Sequence, residues 1–162
     1  MQFKQADILT GLDKGFVARM MEIGVKSTYA PGTILFSQGD PARQFYILIK
    51  GRVRLGMGDN RNSIYTVNHG GEAFGWSALV GAQTYTATAA CVDTSTLIAF
   101  DRDQVQMIMT GDPHNAALFY KNLALTLGNR LALIYSNLAD HLSSGDKISY
   151  GSGQVQETAE NV

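Results

Sequence analysis

Seven short segments rich in β-branched and aromatic residues make up the middle of this chain, residues 25–101. They are VKSTYA, TILF, QFYILIK, RVRLGM, SIYTV, YTATAACV and STLIAF. Turn-forming residues separate them, for example Pro31-Gly32 and Gly70-Gly71. Short strands that recur roughly every ten residues between turn signals are typical of antiparallel sandwiches and barrels. We therefore predict a mainly β domain of seven or eight strands.

Helical patterns flank the β region on both sides. Before it, residues 14–22 follow a candidate N-cap at Asp13 and carry apolar residues at helical spacing. After it, Asp101 or Asp103 is expected to cap a second helix that Gly111 ends. The pattern therefore predicts flanking helices rather than a second domain.

A third helix is predicted over residues 113–142, starting at Asp112-Pro113. At 1.5 Å per residue it would be about 45 Å long, more than one small barrel can cover. One face of this helix could pack on the barrel and another on the same helix of a second subunit, in a two-fold homodimer. A helix lying wholly on its own domain is the alternative, since bundled helices show the same spacing. The predicted dimer seam, at alternating three- and four-residue steps, is Tyr120, Leu123, Leu127, Leu131, Ile134 and Leu138.

The composition limits the binding partners and the cellular locations that we expect for this chain. With a formal net charge of −1, the chain lacks the excess of positive charge with which proteins bind the phosphates of DNA or RNA. Cys91 is the only cysteine, which excludes a disulfide framework. No signal peptide and no apolar run of about 18 residues is found. We expect a cytoplasmic protein that does not enter a membrane, with one domain over residues 1–142 and a disordered tail over residues 143–162.

The sequence contains no pattern that predicts an enzyme. His69, His114 and His141 lie far apart and lack metal-ligand spacing. Glu72 lies in a turn, and the sequence identifies no second acid or base that could act with it in catalysis. Cys91 lies in an apolar segment and is predicted to be a buried apolar residue rather than a nucleophile. Common hydrolase, zinc-protease and P-loop motifs are missing. We therefore expect neither catalysis nor a metal site.

Three glycine-containing segments carry a family resemblance. They are PGTILFSQGD at residues 31–40, FYILIKGRVRL at residues 45–55 and GEAFGWSALVGAQTYTATA at residues 71–89. With the order of elements, they resemble the cyclic-nucleotide-binding domain, in particular the effector domain of the catabolite-activator family of bacterial regulators. The corresponding family motifs are PGxxLFxxGD, FYIIxxGxVxV and a phosphate-binding cassette, FGExAL followed by PRxATV. The resemblance implies a double-stranded β-helix, or jelly roll, over about residues 25–101, followed by C-terminal helices over about residues 102–142.

The cassette-like loop, residues 71–89, departs from the family motif at both charged positions. In the family, the glutamate accepts the ribose hydroxyl and the arginine neutralises the cyclic phosphate, whereas Trp76 and Tyr85 occupy these positions here. Gly75 nevertheless precedes a helix-like turn, which predicts free backbone N–H groups that can bind an anion. The predicted ligand-binding residues are Phe74, Gly75, Trp76, Ser77, Ala78, Tyr85 and Thr86, with the free N–H groups at residues 76–78.

These observations predict a stand-alone regulatory sensor that binds a cyclic-nucleotide-like small molecule. Cyclic AMP or cyclic GMP should bind weakly, because each missing charge-assisted contact is worth roughly 1.5–3 kcal/mol. The signal should leave through the long helix to an unknown protein partner. Because the twenty residues after that helix are too few for a helix-turn-helix, we expect no direct DNA binding. The alternative is a protein-interaction or scaffold module whose pocket is closed because Trp76 and Tyr85 pack together and fill it.

Overall fold

Eight strands form two four-stranded sheets in the computed structural model, which describes residues 6–58 and 62–141. Neighbouring strands are antiparallel, and the sheet orders are β1-β8-β3-β6 and β2-β7-β4-β5. The predicted mainly β, jelly-roll fold is confirmed. The strands are β1 (Val25–Tyr29), β2 (Ile34–Phe36), β3 (Gln44–Lys50), β4 (Val53–Met57), β5 (Asn62–Val67), β6 (Ala73–Phe74), β7 (Thr88–Cys91) and β8 (Ser95–Asp101).

The central strands β3 and β8 are buried on both faces, which explains why their sequences are nearly continuous apolar runs. Tyr46 points toward the second sheet, where its ring lies 5.9 Å from that of Phe36. Phe45, the preceding residue, points to the opposite face because successive side chains of a strand alternate. Its ring lies 6.3 Å from that of Phe119 in the long C-terminal helix. The helices therefore cover the outer face of this sheet.

The three helices are α1 (Lys14–Ile23), α2 (Arg102–Gly111) and α3 (Pro113–His141), as predicted. The carboxylate of Asp101 caps α2 by accepting hydrogen bonds from the backbone N–H groups of Asp103 and Gln104. Asp112 accepts the N–H of Asn115 at 3.2 Å and so caps α3.

Asp13 does not cap α1 with its side chain, contrary to the prediction. Its carboxylate instead accepts a hydrogen bond at 3.0 Å from the side-chain amide of Asn115, and its backbone N–H donates to the Asn115 amide oxygen at 3.1 Å. This exchange ties the start of α1 to α3. The local sequence predicts the Asp13 carboxylate as a helix cap. In the structure it accepts a hydrogen bond from Asn115 instead, a residue 102 positions away.

Helix α3 packs on the roll as far as Arg130, which contacts the carbonyl of Ala73. Phe119 and Leu123 are buried in the hydrophobic core, whereas Leu131 and Leu138 are 46% and 41% exposed. No helix of the described residues is both long enough and apolar enough to cross a membrane. The tail predicted over residues 143–162 lies outside the described residues.

Candidate functional site

Gly75 lies where the chain leaves β6 and enters a 3-10 turn, Trp76–Ala78. Its φ is +76°, in the left-handed region that favours glycine. A Cβ atom at this position would lie 3.2 Å from the carbonyl oxygen of Gln44 and 3.4 Å from the Cα of Phe45. The loop therefore approaches the backbone of β3 so closely that any side chain would displace one of them.

Two backbone N–H groups after Gly75, those of Trp76 and Ser77, have no acceptor among the described residues. The N–H of Ala78 donates to the carbonyl of Gly75 at 3.2 Å, so the prediction of a third free donor is wrong. Ser77 is only 3% exposed, and its hydroxyl also makes no hydrogen bond within the described chain. The turn thus offers two N–H donors and one hydroxyl to a ligand.

Tyr85 points into the roll and is 5% exposed. Its ring stacks on that of Phe36, and its hydroxyl donates to the carbonyl of Gln44 while accepting the Gln44 N–H at 3.0 Å. Burial raises the pKa of the Tyr85 hydroxyl, although the backbone hydrogen bonds partly oppose this shift. The phenol is therefore neutral and engaged with β3, so its expected contact with a ligand would require these bonds to break.

Aromatic rings continue inward from Tyr85. The rings of Tyr46 and Phe74 stack with centroids 5.2 Å apart, and Phe36 lies between this pair and Tyr85. Burial raises the pKa of Tyr46, whose hydroxyl donates to the Gln44 side chain at 3.1 Å. Four aromatic side chains thus occupy the interior beside the cassette-like loop.

The remaining predicted residues divide between the core and the surface. Phe74 and Ala78 are 1% and 3% exposed and belong to the core. Thr86 is exposed. Trp76 is half-buried against the core, and its ring makes no contact with that of Tyr85 within the described residues. The Trp76–Tyr85 pair that the alternative of a closed pocket requires is thus not present among the described residues, and Phe36 stacks on Tyr85 instead.

Glu72 is the centre of a polar cluster that sequence reasoning missed. It accepts hydrogen bonds from the Tyr65 hydroxyl at 2.8 Å and from the backbone N–H groups of His69 and Asn68 at 2.9 and 3.3 Å. Burial alone would raise the pKa of Glu72, but these hydrogen bonds outweigh it and hold the pKa below its ordinary value. The carboxylate therefore stays charged in the fold.

Arg130 of α3 completes this cluster. Its Nη2 donates to the carbonyl of Ala73 at 2.9 Å and lies 3.7 Å from the Glu72 carboxylate. The guanidinium carbon lies 4.3 Å from the centroid of the Tyr65 ring, within cation–π range. No local sequence pattern predicts this contact, because Arg130 and Glu72 come close to each other only when α3 packs on the roll.

The predicted dimer seam is divided between the core and the surface. Leu123 is buried in its own domain, and the Tyr120 hydroxyl donates to the carbonyl of Leu79 at 3.3 Å. Leu127 packs partly against the same core. An intermolecular seam would therefore begin beyond Leu123, which corrects the prediction for that residue, and would consist mainly of Leu131, Ile134 and Leu138.

Elsewhere in the described residues, the structure offers no stronger candidate for a ligand, metal or catalytic site. A concavity of about 280 Å³ lies where residues 41–43, Gln83 and the start of α2 meet, and it contains none of the predicted site residues. Among the described side chains, no group of three or more His, Cys, Asp or Glu could hold a metal ion. Cys91 is buried, and burial raises the pKa of its thiol.

Comparison with known proteins gives one consistent result. The profile of the family described as "Cyclic nucleotide-binding domain" matches residues 26–112. A CRP-like cAMP-activated global transcriptional regulator of Mycobacterium tuberculosis is 24% identical over 138 residues, which cover 84% of this chain. The chain spans 60% of the length of that relative.

Solved structures resemble the whole roll with its helices. A cyclic nucleotide-binding domain from Methylobacillus flagellatus has a TM-score of 0.75 at 14% identity, covering 88% of this chain and 84% of that one. The catabolite activator protein of Thermus thermophilus has a TM-score of 0.66 at 24% identity, covering 83% of this chain and 62% of that one. At these identities the likeness concerns the fold.

Proposed function

This chain belongs to the cyclic nucleotide-binding domain family, and we propose that it is a regulatory sensor that binds a cyclic-nucleotide-like small molecule. The ligand would bind at the cassette-like loop, and its presence would be transmitted through α3. The role is regulatory rather than catalytic.

The observation that carries this proposal is the turn after Gly75. Within the part of the chain that the structure describes, it leaves the N–H groups of Trp76 and Ser77 and the Ser77 hydroxyl without partners, inside the segment that matches the family. Successive backbone N–H groups left free at the start of a turn can bind an anion, and here a hydroxyl lies on the same turn. A cyclic phosphate offers the oxygen acceptors that such a turn can bind.

Binding should be weak. Trp76 and Tyr85 replace the glutamate and arginine of the family motif, and neither supplies a charge. Each lost charge-assisted contact corresponds to roughly 1.5–3 kcal/mol, or about one to two powers of ten in affinity. We expect dissociation constants of roughly tens of micromolar for cyclic AMP and cyclic GMP.

Signalling through α3 would involve a second subunit. Leu131 and Leu138 are exposed, and Ile134 is half-buried, on the last part of α3. They recur at steps of three and four residues and so lie along one side of the helix. We propose that this stripe packs against its copy in a two-fold homodimer, and that the downstream partner is another protein.

A protein-interaction module with a filled pocket is the second candidate. The observation that favours it is the burial of Tyr85 against Phe36 beside the loop. Titration of the wild-type chain with cyclic AMP and cyclic GMP, followed by the fluorescence of Trp76, separates the two candidates. The only tryptophan of the chain lies in the proposed site. A saturable change supports the sensor, and no change up to millimolar nucleotide supports the filled pocket.

A further inference from the structure

Arg130 is a buried cation with an unsatisfied donor. Its side chain is 9% exposed, and its Nε is buried with no hydrogen-bond partner among the described residues. A guanidinium has five N–H donors, and its one hydrogen bond to residues 6–58 and 62–141 is that of Nη2 to the carbonyl of Ala73. A buried charged group with an unpaired donor is rare enough in folded proteins to require an acceptor from elsewhere.

Glu72 does not provide that acceptor. Its closest oxygen lies 3.7 Å from Arg130 Nη2, beyond hydrogen-bond distance. The same oxygen already accepts the Tyr65 hydroxyl, and the other accepts two backbone N–H groups. Glu72 therefore offsets part of the charge of Arg130 and leaves the Nε donor free.

Arg130 also lies beside the cassette-like loop. The carbonyl it contacts belongs to Ala73, two residues before Gly75 and three before the first unpaired N–H. The loop itself, residues 71–89, contains no lysine or arginine. The loop thus lacks a cation of its own, while a buried cation from α3 reaches its first strand.

We propose that Arg130 contacts the ligand, its Nε donating a hydrogen bond to a phosphate oxygen of the nucleotide. A phosphate fits because a guanidinium binds anionic oxygens more strongly than neutral acceptors. This inference rests on the proposed function and names a residue for it. Arg130 would supply from α3 the charge that Tyr85 does not supply, and would connect the ligand directly to that helix.

The test compares Arg130→Gln with wild type in titrations with cyclic AMP and with adenosine, which lacks the phosphate. Lys121→Gln is the matched control, since Lys121 is an exposed cation of the same helix. We expect Arg130→Gln to weaken cyclic AMP binding at least ten-fold, with adenosine binding unchanged within about two-fold. Lys121→Gln should change neither.

Three results would overturn the inference. Unchanged cyclic AMP affinity in Arg130→Gln would mean that water satisfies Nε. An equal loss for cyclic AMP and adenosine would mean that Arg130 only holds the fold. A wild-type chain that binds adenosine as tightly as cyclic AMP would not recognise the phosphate at all. A wild-type chain that binds neither cyclic AMP nor cyclic GMP would instead overturn the proposed function, and the inference with it.

A second measurement keeps the test decisive if Arg130→Gln does not fold. The Nε–H resonance of Arg130 is followed by nuclear magnetic resonance in the wild-type chain. A downfield proton shift with cyclic AMP, and none with adenosine, supports the contact. The same shift with both, or with neither, contradicts it.

Discussion

Tyr85 and Phe36 stack nearly face to face, with ring centroids 3.7 Å apart and planes inclined by 14°. Tyr85 occupies the position that holds an arginine in the family motif. The Tyr85 hydroxyl accepts a hydrogen bond from the Gln44 N–H and donates one to the Gln44 carbonyl. Tyr85 therefore joins the loop to β3. Recognition of a ligand anion therefore falls to the backbone after Gly75 and to cations outside the loop.

Replacing Tyr85 by phenylalanine should destabilise the fold without abolishing ligand binding. The change keeps the stack on Phe36 but leaves the Gln44 N–H and carbonyl with one partner fewer, which corresponds to a loss of about 1–2 kcal/mol. Denaturant unfolding measures this loss. Tyr135→Phe is the control, because Tyr135 is 61% exposed, and it should change stability by less than about 0.5 kcal/mol. Equal effects of the two changes would show that the Gln44 bonds contribute nothing.

The fold was largely readable from the sequence because turn residues and β-branched runs are local signals. Strand β6 was not, since its two residues exist as a strand only by pairing with Tyr46 and Ile47 of β3. Alternation along RVRLGM predicts that Met57 points inward with Val53 and Leu55, yet Met57 is 44% exposed. The register shift between Leu55 and Gly56 reverses the alternation, and Gly56 is its sequence signal, because a glycine within a strand often indicates a bulge.

Gly75 and Gly81 offer a matched pair for measuring how closely the loop approaches β3. Both have φ of +76°, but a Cβ at Gly81 would meet no atom within 4 Å. Gly81→Ala should therefore cost only the left-handed strain, about 1 kcal/mol. Gly75→Ala should cost about 2 kcal/mol or more, because its Cβ also meets the Gln44 carbonyl. Urea unfolding of both variants checks the difference, and equal costs would contradict the close approach.

The charge of Glu72 should make stability depend on pH. The fold holds the pKa of Glu72 below its ordinary value of 4.5, so the carboxylate stabilises the fold above that value. This stabilisation is lost as the pH falls through the lowered pKa. Glu72→Gln should therefore cost about 1–2 kcal/mol at pH 7, and the difference from wild type should shrink as the pH falls below 4.5.

Unfolding of wild type and variant across this pH range is the measurement. Glu22→Gln, at an exposed position of α1, is the control and should show almost no difference at either pH. A Glu72→Gln difference that stays constant with pH would mean that the charge of this carboxylate does not stabilise the fold.

The exposed half of α3 should hold the homodimer together. Replacing Leu131 and Leu138 together by aspartate should give a folded monomer, since both side chains are exposed in the single chain. Leu125→Asp is the control, because Leu125 is 65% exposed but lies about 120° around the helix axis from Leu131. Light scattering should find a dimer for wild type and control. A monomeric wild type, or an unchanged double variant, would rule out this interface.

Only the turn after Gly75 could be predicted from the sequence, because its geometry depends on neighbouring residues alone. The glycine before a helix-like turn indicated the unpaired N–H groups of Trp76 and Ser77, and the structure contains them. The pairing of Tyr85 with Phe36 and the contact of Arg130 with Ala73 join distant segments. Such contacts depend on how strands and α3 are placed in space, and a single sequence carries no spacing rule for them.

The central claim is that the loop binds a cyclic nucleotide despite the loss of both charged residues. Isothermal titration calorimetry of the wild-type chain with cyclic AMP and with cyclic GMP tests it most directly. We predict one site per chain for at least one of the two, with a dissociation constant of roughly tens of micromolar, or about 6 kcal/mol of binding free energy. No binding of either nucleotide at millimolar concentration, by a chain shown to be folded, would contradict the account.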